Sequence, residues 1–152
     1  MPKIFLSYKF TGVPLKELET YLKYVTDALN CSGTNEIICN FDHLDHYEKN
    51  DMNVRQIMDH ACVDLLLDAG PYDYHILLVS HTGFSEGATF EYGFGYGVSI
   101  QNKRLGIPDI IAKRLIVTHE SIKSVSCLSM SDEHIVYSTT DDLCQKIKEK
   151  FK

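Results

Sequence analysis

Short apolar runs alternate along this chain with longer stretches in which apolar residues recur every three or four positions. Lys3-Ile4-Phe5-Leu6-Ser7 opens the series and predicts a strand. Leu15, Leu18, Leu22, Val25 and Leu29 then mark one face of a helix. Pro14 suits a place just before or within its first turn. Glu36-Ile37-Ile38-Cys39 predicts a second strand, and Asn40 to Asn50, polar and rich in Asp and His, reads as a loop. From Asp51 the pattern is helical again, with Met52, Ile57 and Cys62 among polar residues, running toward Leu67. Gly70-Pro71 interrupts it before a third strand at His75–Ser80. A helix over roughly Gly87 to Ile100, a strand at Arg114–Thr118 and a strand at His134–Tyr137 follow. Thr140-Asp141-Asp142 caps a last helix whose Leu143, Ile147 and Phe151 share a face. Strands alternating with helices predict a parallel sheet covered on both sides. The expected fold is α/β, a flavodoxin-like (Rossmann-type) three-layer sandwich of about five strands. No repeat, linker or low-complexity segment divides it, so residues 1–152 are expected to form a single domain.

Composition narrows the partners. A formal net charge of −6 without a basic cluster argues against double-stranded nucleic acid. A free nucleotide stays possible, because a small anion needs only a local cradle. No apolar run approaches the ~18 residues of a membrane span, and the N-terminus lacks a charged-then-apolar signal pattern. Cys31, Cys39, Cys62, Cys127 and Cys144 are odd in number and irregularly spaced, which fits reduced thiols and a cytoplasmic location.

The segment Ser85-Glu86-Gly87-Ala88-Thr89-Phe90-Glu91-Tyr92-Gly93 carries the strongest chemical signal. It follows the apolar strand and leads into a helix, where open α/β sheets bind ligands. Glu91 has bulky neighbours in Phe90, Tyr92 and Phe94 and no basic residue nearby in sequence. A surface charge favoured by the helix dipole is the plain alternative. Ser85 and Gly87 suit an N-cap and first turn, and the same geometry offers N–H groups and a hydroxyl to an anion. Gly93, Gly95 and Gly97 do not make a dinucleotide fingerprint, since they lie inside the helix; they suit close helix packing. Asp64 stands in an apolar stretch and is the foremost second carboxylate, ahead of Asp68 and Asp73. His43 and His46 with Asp42 and Asp45 lack a further ligand motif, so no metal is expected. His81 falls on the presumed active edge.

Strand, Ser-x-Gly-x-x-x-Glu-x-Gly, helix resembles the nucleoside 2-deoxyribosyltransferase superfamily, closest to its 2'-deoxynucleoside 5'-phosphate N-hydrolase branch. The resemblance is specific at Ser85–Gly93 and looser at Ile4–Gly12. It implies that Glu91 is the nucleophile at C1' and that Ser85 and Gly87 bind a 5'-phosphate, where the transferases place an acid for the sugar hydroxyl. A carboxylate there would repel a phosphate dianion, whereas a hydroxyl at a helix N-terminus holds it. It maps the second carboxylate best on Asp64, with Asp68 and Asp73 as other registers. The loop Ser7-Tyr8-Lys9-Phe10-Thr11-Gly12 departs from the Gly-Ser-Ile-Arg-Gly type. There Ser7, Tyr8, Lys9 and Phe10 are the candidates for substrate contact, Lys9 for phosphate and Tyr8 or Phe10 for stacking on the base. Ser129 is the candidate for a serine reaching over from a neighbouring subunit, which implies a homodimer.

The resemblance therefore implies an N-glycosidase of (deoxy)nucleoside 5'-monophosphates, with no cofactor. Three rivals remain at this stage. One is a transferase exchanging bases on free deoxynucleosides. Another is a Toll/interleukin-1 receptor-like NAD-cleaving domain, suggested by Ile4-Phe5-Leu6-Ser7-Tyr8. The third is a non-catalytic nucleotide-binding or signalling module.

Overall fold

The computed structural model describes residues 1–10, 12–123 and 126–152, so Thr11 of the N-terminal loop lies outside them. Five strands, β1 (Lys3–Tyr8), β2 (Glu36–Cys39), β3 (Tyr72–Val79), β4 (Ile111–His119) and β5 (Glu133–Tyr137), form one sheet in the order β2-β1-β3-β4-β5. Every pairing is parallel, with Phe5 opposite both Ile38 and His75, and Leu115 opposite both Ile76 and Glu133. This is the flavodoxin-like order, whose direction of winding reverses between β1 and β3.

Alternation along the strands builds two apolar layers. Ile4, Leu6 and Tyr8 of β1 with Ile76 and Leu78 of β3 face helices α1 (Leu15–Leu29) and α5 (Thr140–Lys150). Leu18, Leu22, Val25 and Leu29 of α1 and Leu143 and Ile147 of α5 complete that layer, as the spacing predicts. Burying each such side chain stabilises the fold by about 1.5–3 kcal/mol. Phe5, Leu77 and Val79 point the other way, toward helix α4 (Glu86–Leu105) and the π-helical segment His60–Asp68. The result is a three-layer α/β sandwich. Among the described residues no helix is long and apolar enough to cross a membrane.

Three expectations need correction. Residues 40–50 are not a loop: a 3-10 turn (Asn40–His43) leads into helix α2 (Leu44–Lys49), which buries Tyr47. The helical stretch beyond Asp51 starts at α3 (Val54–Asp59), capped by Asn53 with Gln56 in a reciprocal capping box, and widens into the π-helical segment. Thr139, not Thr140, caps α5, its hydroxyl accepting from the Asp142 amide.

Candidate active site

The C-terminal ends of β1, β2 and β3 deliver one residue each, or the helix that follows, to a single point. Ser7 sits near the end of β1 on the α4 side, Asn40 directly follows β2, and Glu91 lies in the second turn of the helix after β3. Ser85 starts that helix as an extended N-cap, its hydroxyl accepting from the Ala88 amide at 3.4 Å. The buried face of α4 then reads Ala88, Glu91, Tyr92, Gly95 and Ser99, so helical periodicity turns Glu91 inward.

Glu91 is only 3% exposed. The Ser7 hydroxyl donates to Oε2 at 2.8 Å and the Asn40 amide donates to Oε1 at 2.9 Å. Burial pushes its pKa up to about 7, against the lowering effect of these two hydrogen bonds. Among the described residues no cation pairs with it. Two neutral donors thus orient the carboxylate without cancelling its charge.

Each donor is itself held. Ser7 Oγ lies 2.9 Å from His75 Nε2, and since the Ser7 proton goes to Glu91, His75 donates to Ser7. His75 is fully buried, and burial, then the nearby Arg114 charge, push its pKa down to about 3. It is therefore a neutral imidazole with its proton on Nε2; its Nδ1 has no partner among the described residues. On the other side the Tyr47 hydroxyl donates to Asn40 Oδ1 and lies 2.9 Å from His60 Nδ1. Sequence reasoning missed Asn40, Tyr47, His60 and His75 as site residues. Only Asn40 carried a usable signal, a polar residue at the C-terminal end of a predicted parallel strand.

Glu91 and Asn40 line a cavity of about 840 Å³. Its walls are α3 and the following segment (Val54, Ile57, Met58, Cys62) on one side and Phe84 to Phe94 on the other. Ser85, Gly87, Lys9 and Phe10 line it as well, with Lys9 Nζ donating to the Thr82 carbonyl at 3.1 Å. The predicted Ser85, Gly87, Glu91, Lys9 and Phe10 therefore meet in one cavity, with Ser7 immediately behind Glu91.

The other candidates lie elsewhere. Tyr8 alternates to the opposite face of β1 and stacks on Tyr21 at 5.4 Å, so it does not reach the cavity. Asp64 projects outward, its side chain 61% exposed and 3.9 Å from His60 Nε2, and does not line the cavity; Asp59, one turn earlier, does. Asp68 is exposed at the end of the π-helical segment, and Asp73, at the start of β3, accepts from the Lys3 backbone at 2.7 Å, far from Glu91 along the strand. Ser129 is exposed in the 3-10 turn Ser126–Met130 and is absent from the lining. His81 is exposed, its ring 5.9 Å from that of His119. His43 and His46 pack around His60 at 5.1 and 5.5 Å between ring centroids. Among the described residues no group of three or more His, Cys, Asp or Glu is placed to hold a metal.

No family model matches the chain, and no curated protein matches it in sequence. Solved structures do. The chain is similar to the CMP N-glycosidase BcmB of Clostridium botulinum, with a TM-score of 0.60 at 13% identity over 97% of this chain and 98% of that one. It is also similar to a conserved protein of Enterococcus faecalis V583, with a TM-score of 0.56 at 15% identity over 99% of both chains. The fold is thus one that a nucleotide N-glycosidase uses.

Proposed function

We propose that the chain is an N-glycosidase of nucleoside 5'-monophosphates, of the nucleoside 2-deoxyribosyltransferase type, with Glu91 as its nucleophile. The observation that carries this reading is the state of Glu91. It is a carboxylate buried at the cavity wall, oriented by Ser7 and Asn40 and, among the described residues, left without a counter-cation. Such a group stabilises a positive charge that develops beside it, and the sugar of a departing base is oxocarbenium-like. The likeness in fold to a CMP N-glycosidase supports the substrate class.

In this reading a Glu91 oxygen bonds to C1' as the C1'–N bond breaks, its electrons leaving with the base, which takes a proton from water. Water then attacks C1', the ester to Glu91 breaks, and the sugar 5-phosphate leaves with net retention. Ser85, the N–H groups at the start of α4 and the Lys9 ammonium hold the phosphate. Phe10, Phe84 and Phe90 offer apolar surface for the base. Asp64 takes no part in direct contact with substrate in this arrangement. In a homodimer, Ser129 of a second copy would supply a further phosphate contact.

The test is incubation of purified protein with ribo- and deoxynucleoside monophosphates, nucleosides and NAD, with chromatography of the released base. Release from monophosphates, lost in Glu91→Ala, is expected. A second free base in the mixture yields a new nucleotide only if the enzyme transfers rather than hydrolyses. Release that persists undiminished in Glu91→Ala overturns the assignment of the nucleophile, and no release from any substrate overturns the activity.

A further inference from the structure

We infer that Tyr47 and His60 are positioning residues for Glu91, acting through Asn40 by a directed chain of hydrogen bonds. This rests on the reading of Glu91 as the reactive carboxylate. Asn40 is 4% exposed and its side chain has two unlike ends, one that only donates and one that only accepts. Ionised Glu91 needs the donating end, which lies 2.9 Å from Oε1. The accepting end then faces the Tyr47 hydroxyl, which must donate its single proton there. Tyr47 oxygen is left as an acceptor, and the group facing it is His60 Nδ1 at 2.9 Å. The chain is consistent only when His60 carries a proton on Nδ1.

The alternative arrangement shows what the chain controls. If Nδ1 were bare, Tyr47 would donate to it and offer Asn40 only a lone pair. The amide would turn to give Tyr47 its N–H and present its oxygen to Glu91, an arrangement that suits the protonated acid alone. The direction of the His60–Tyr47 bond thus selects the charge state of a carboxylate two residues away in the chain of contacts.

Asp64 enters here. It lies 3.9 Å from His60 Nε2 and by itself favours the imidazole form protonated on both nitrogens, which carries Nδ1–H. Partial burial first, then the charges of His43 and His46 packed on the same imidazole, outweigh Asp64 and hold the His60 pKa below its ordinary value, so the Nδ1 proton the chain requires is that of the neutral Nδ1–H tautomer. Cys39 and Cys62 beside Glu91 are kept as neutral thiols by burial, their pKa pushed up to about 12, and the charged groups that line the same cavity are Lys9, Arg55, Asp59 and Glu86. His75 faces Glu91 only through Ser7 and stays neutral. Because an amide does not pass a proton along in ordinary hydrogen bonding, the chain orients Glu91 and is not a proton path.

The experiment follows the Glu91 carboxyl itself, by NMR titration of protein with carbon-13 glutamate carboxyls, the resonance assigned by its loss in Glu91→Gln. Tyr47→Phe and His60→Phe are expected to raise its midpoint, by about one unit for Tyr47→Phe, the value of one polarised hydrogen bond to a charged network. His60→Asn, whose Nδ2 can donate in place of Nδ1, is expected to restore most of the parent value. Tyr47 is 4% exposed, so the rim position His60, with 18% side-chain exposure, gives a second route should Tyr47→Phe not fold. A midpoint unmoved in both Phe variants, or moved equally in His60→Asn and His60→Phe, overturns the proposal. The titration needs no substrate, so a failed glycosidase assay leaves it standing, and an unmoved titration leaves the glycosidase reading intact.

Discussion

Gly95 lies against His75 so closely that a Cβ at residue 95 would come within 3.0 Å of the imidazole Nδ1 and 2.8 Å of Ile111 Cδ1. This glycine sits one turn after Glu91 on the same buried face of α4. The depth to which α4 settles on the sheet therefore also sets how closely Glu91 approaches Ser7. Of the three alternating glycines, Gly95 is the one that packing requires. Among the described residues, nothing lies within 4 Å of a Cβ built on Gly93 or Gly97.

Gly95→Ala is therefore expected to destabilise. Overpacking costs about 1–3 kcal/mol and alanine returns at most about 1 kcal/mol of helix propensity. Where alanine returns that full amount, the net cost is up to about 2 kcal/mol, a loss of up to about 8 °C in Tm for a chain of this size. Gly97→Ala, exposed and unobstructed, should instead gain a few degrees. Thermal unfolding of the two variants side by side checks the assignment; equal shifts in the same direction would contradict it.

Glu91 should make the protein less stable as pH rises. Its pKa is about 7 in the fold against 4.5 for the unperturbed group, so between those values the folded state binds more protons than the unfolded one. Stability from this group is full below pH about 4.5 and is lost as pH rises through 7, by about 3 kcal/mol in all. His75, at about 3 against 6.5, gives the opposite slope, its contribution being lost as pH falls from 6.5 toward 3. The two are separated by comparing Glu91→Gln with the parent in urea at pH 4.5 and pH 8. The variant should gain on the parent by about 2–3 kcal/mol between those conditions, whatever constant cost the amide carries. A pH-independent difference would show that Glu91 is not held near pH 7.

The order of strands and helices was legible because apolar runs and helical periodicity are properties of the chain itself. The site was legible only where it followed the chain locally. Ser85, Gly87 and Glu91 share one strand–helix junction, and the structure keeps them together at one cavity. Residues 40–50 were not legible as helix, because in this polar and histidine-rich stretch Tyr47 is the one apolar residue that is buried. His75 was silent for the opposite reason: a histidine near the start of a strand looks like an edge residue until Ser7 of the neighbouring strand gives it a partner. Asp64 looked uncomfortable among leucines, but the segment packs Ala61, Cys62 and Leu66 inward and leaves Asp64 outside. At 3.6 residues per turn Asp64 already falls opposite Cys62 and Leu66; what the sequence does not show is which face of the segment meets the sheet.

Ser7→Ala tests the inner support of Glu91. The substitution removes the donor to Oε2 and leaves the buried His75 N–H without its acceptor, at a cost of about 1–3 kcal/mol in stability. It should also move the Glu91 pKa above its value of about 7 in the parent. If Glu91 must be ionised to attack, activity at pH 7 falls several-fold and the rising limb of the pH–rate profile shifts up by about one unit. Loss of activity that is uniform across pH would show that Ser7 acts on something other than the charge of Glu91.

Ser85 tests the phosphate. Ser85→Ala removes the side-chain cap of α4, at about 1 kcal/mol, and so confuses stability with binding. Ser85→Asp does not: aspartate caps as well as serine, and its charge favours the helix N-terminus. The fold should therefore keep its Tm while the cavity acquires a negative charge where the phosphate is expected to lie. KM for a nucleoside 5'-monophosphate should rise by about 10- to 100-fold, the effect of replacing an anion donor by a like charge at close range. The free nucleoside, which brings no charge to that end of the cavity, should be affected far less, and the ratio of kcat/KM between the two substrates should turn toward the nucleoside. A variant that weakens both substrates equally would place the phosphate away from the start of α4.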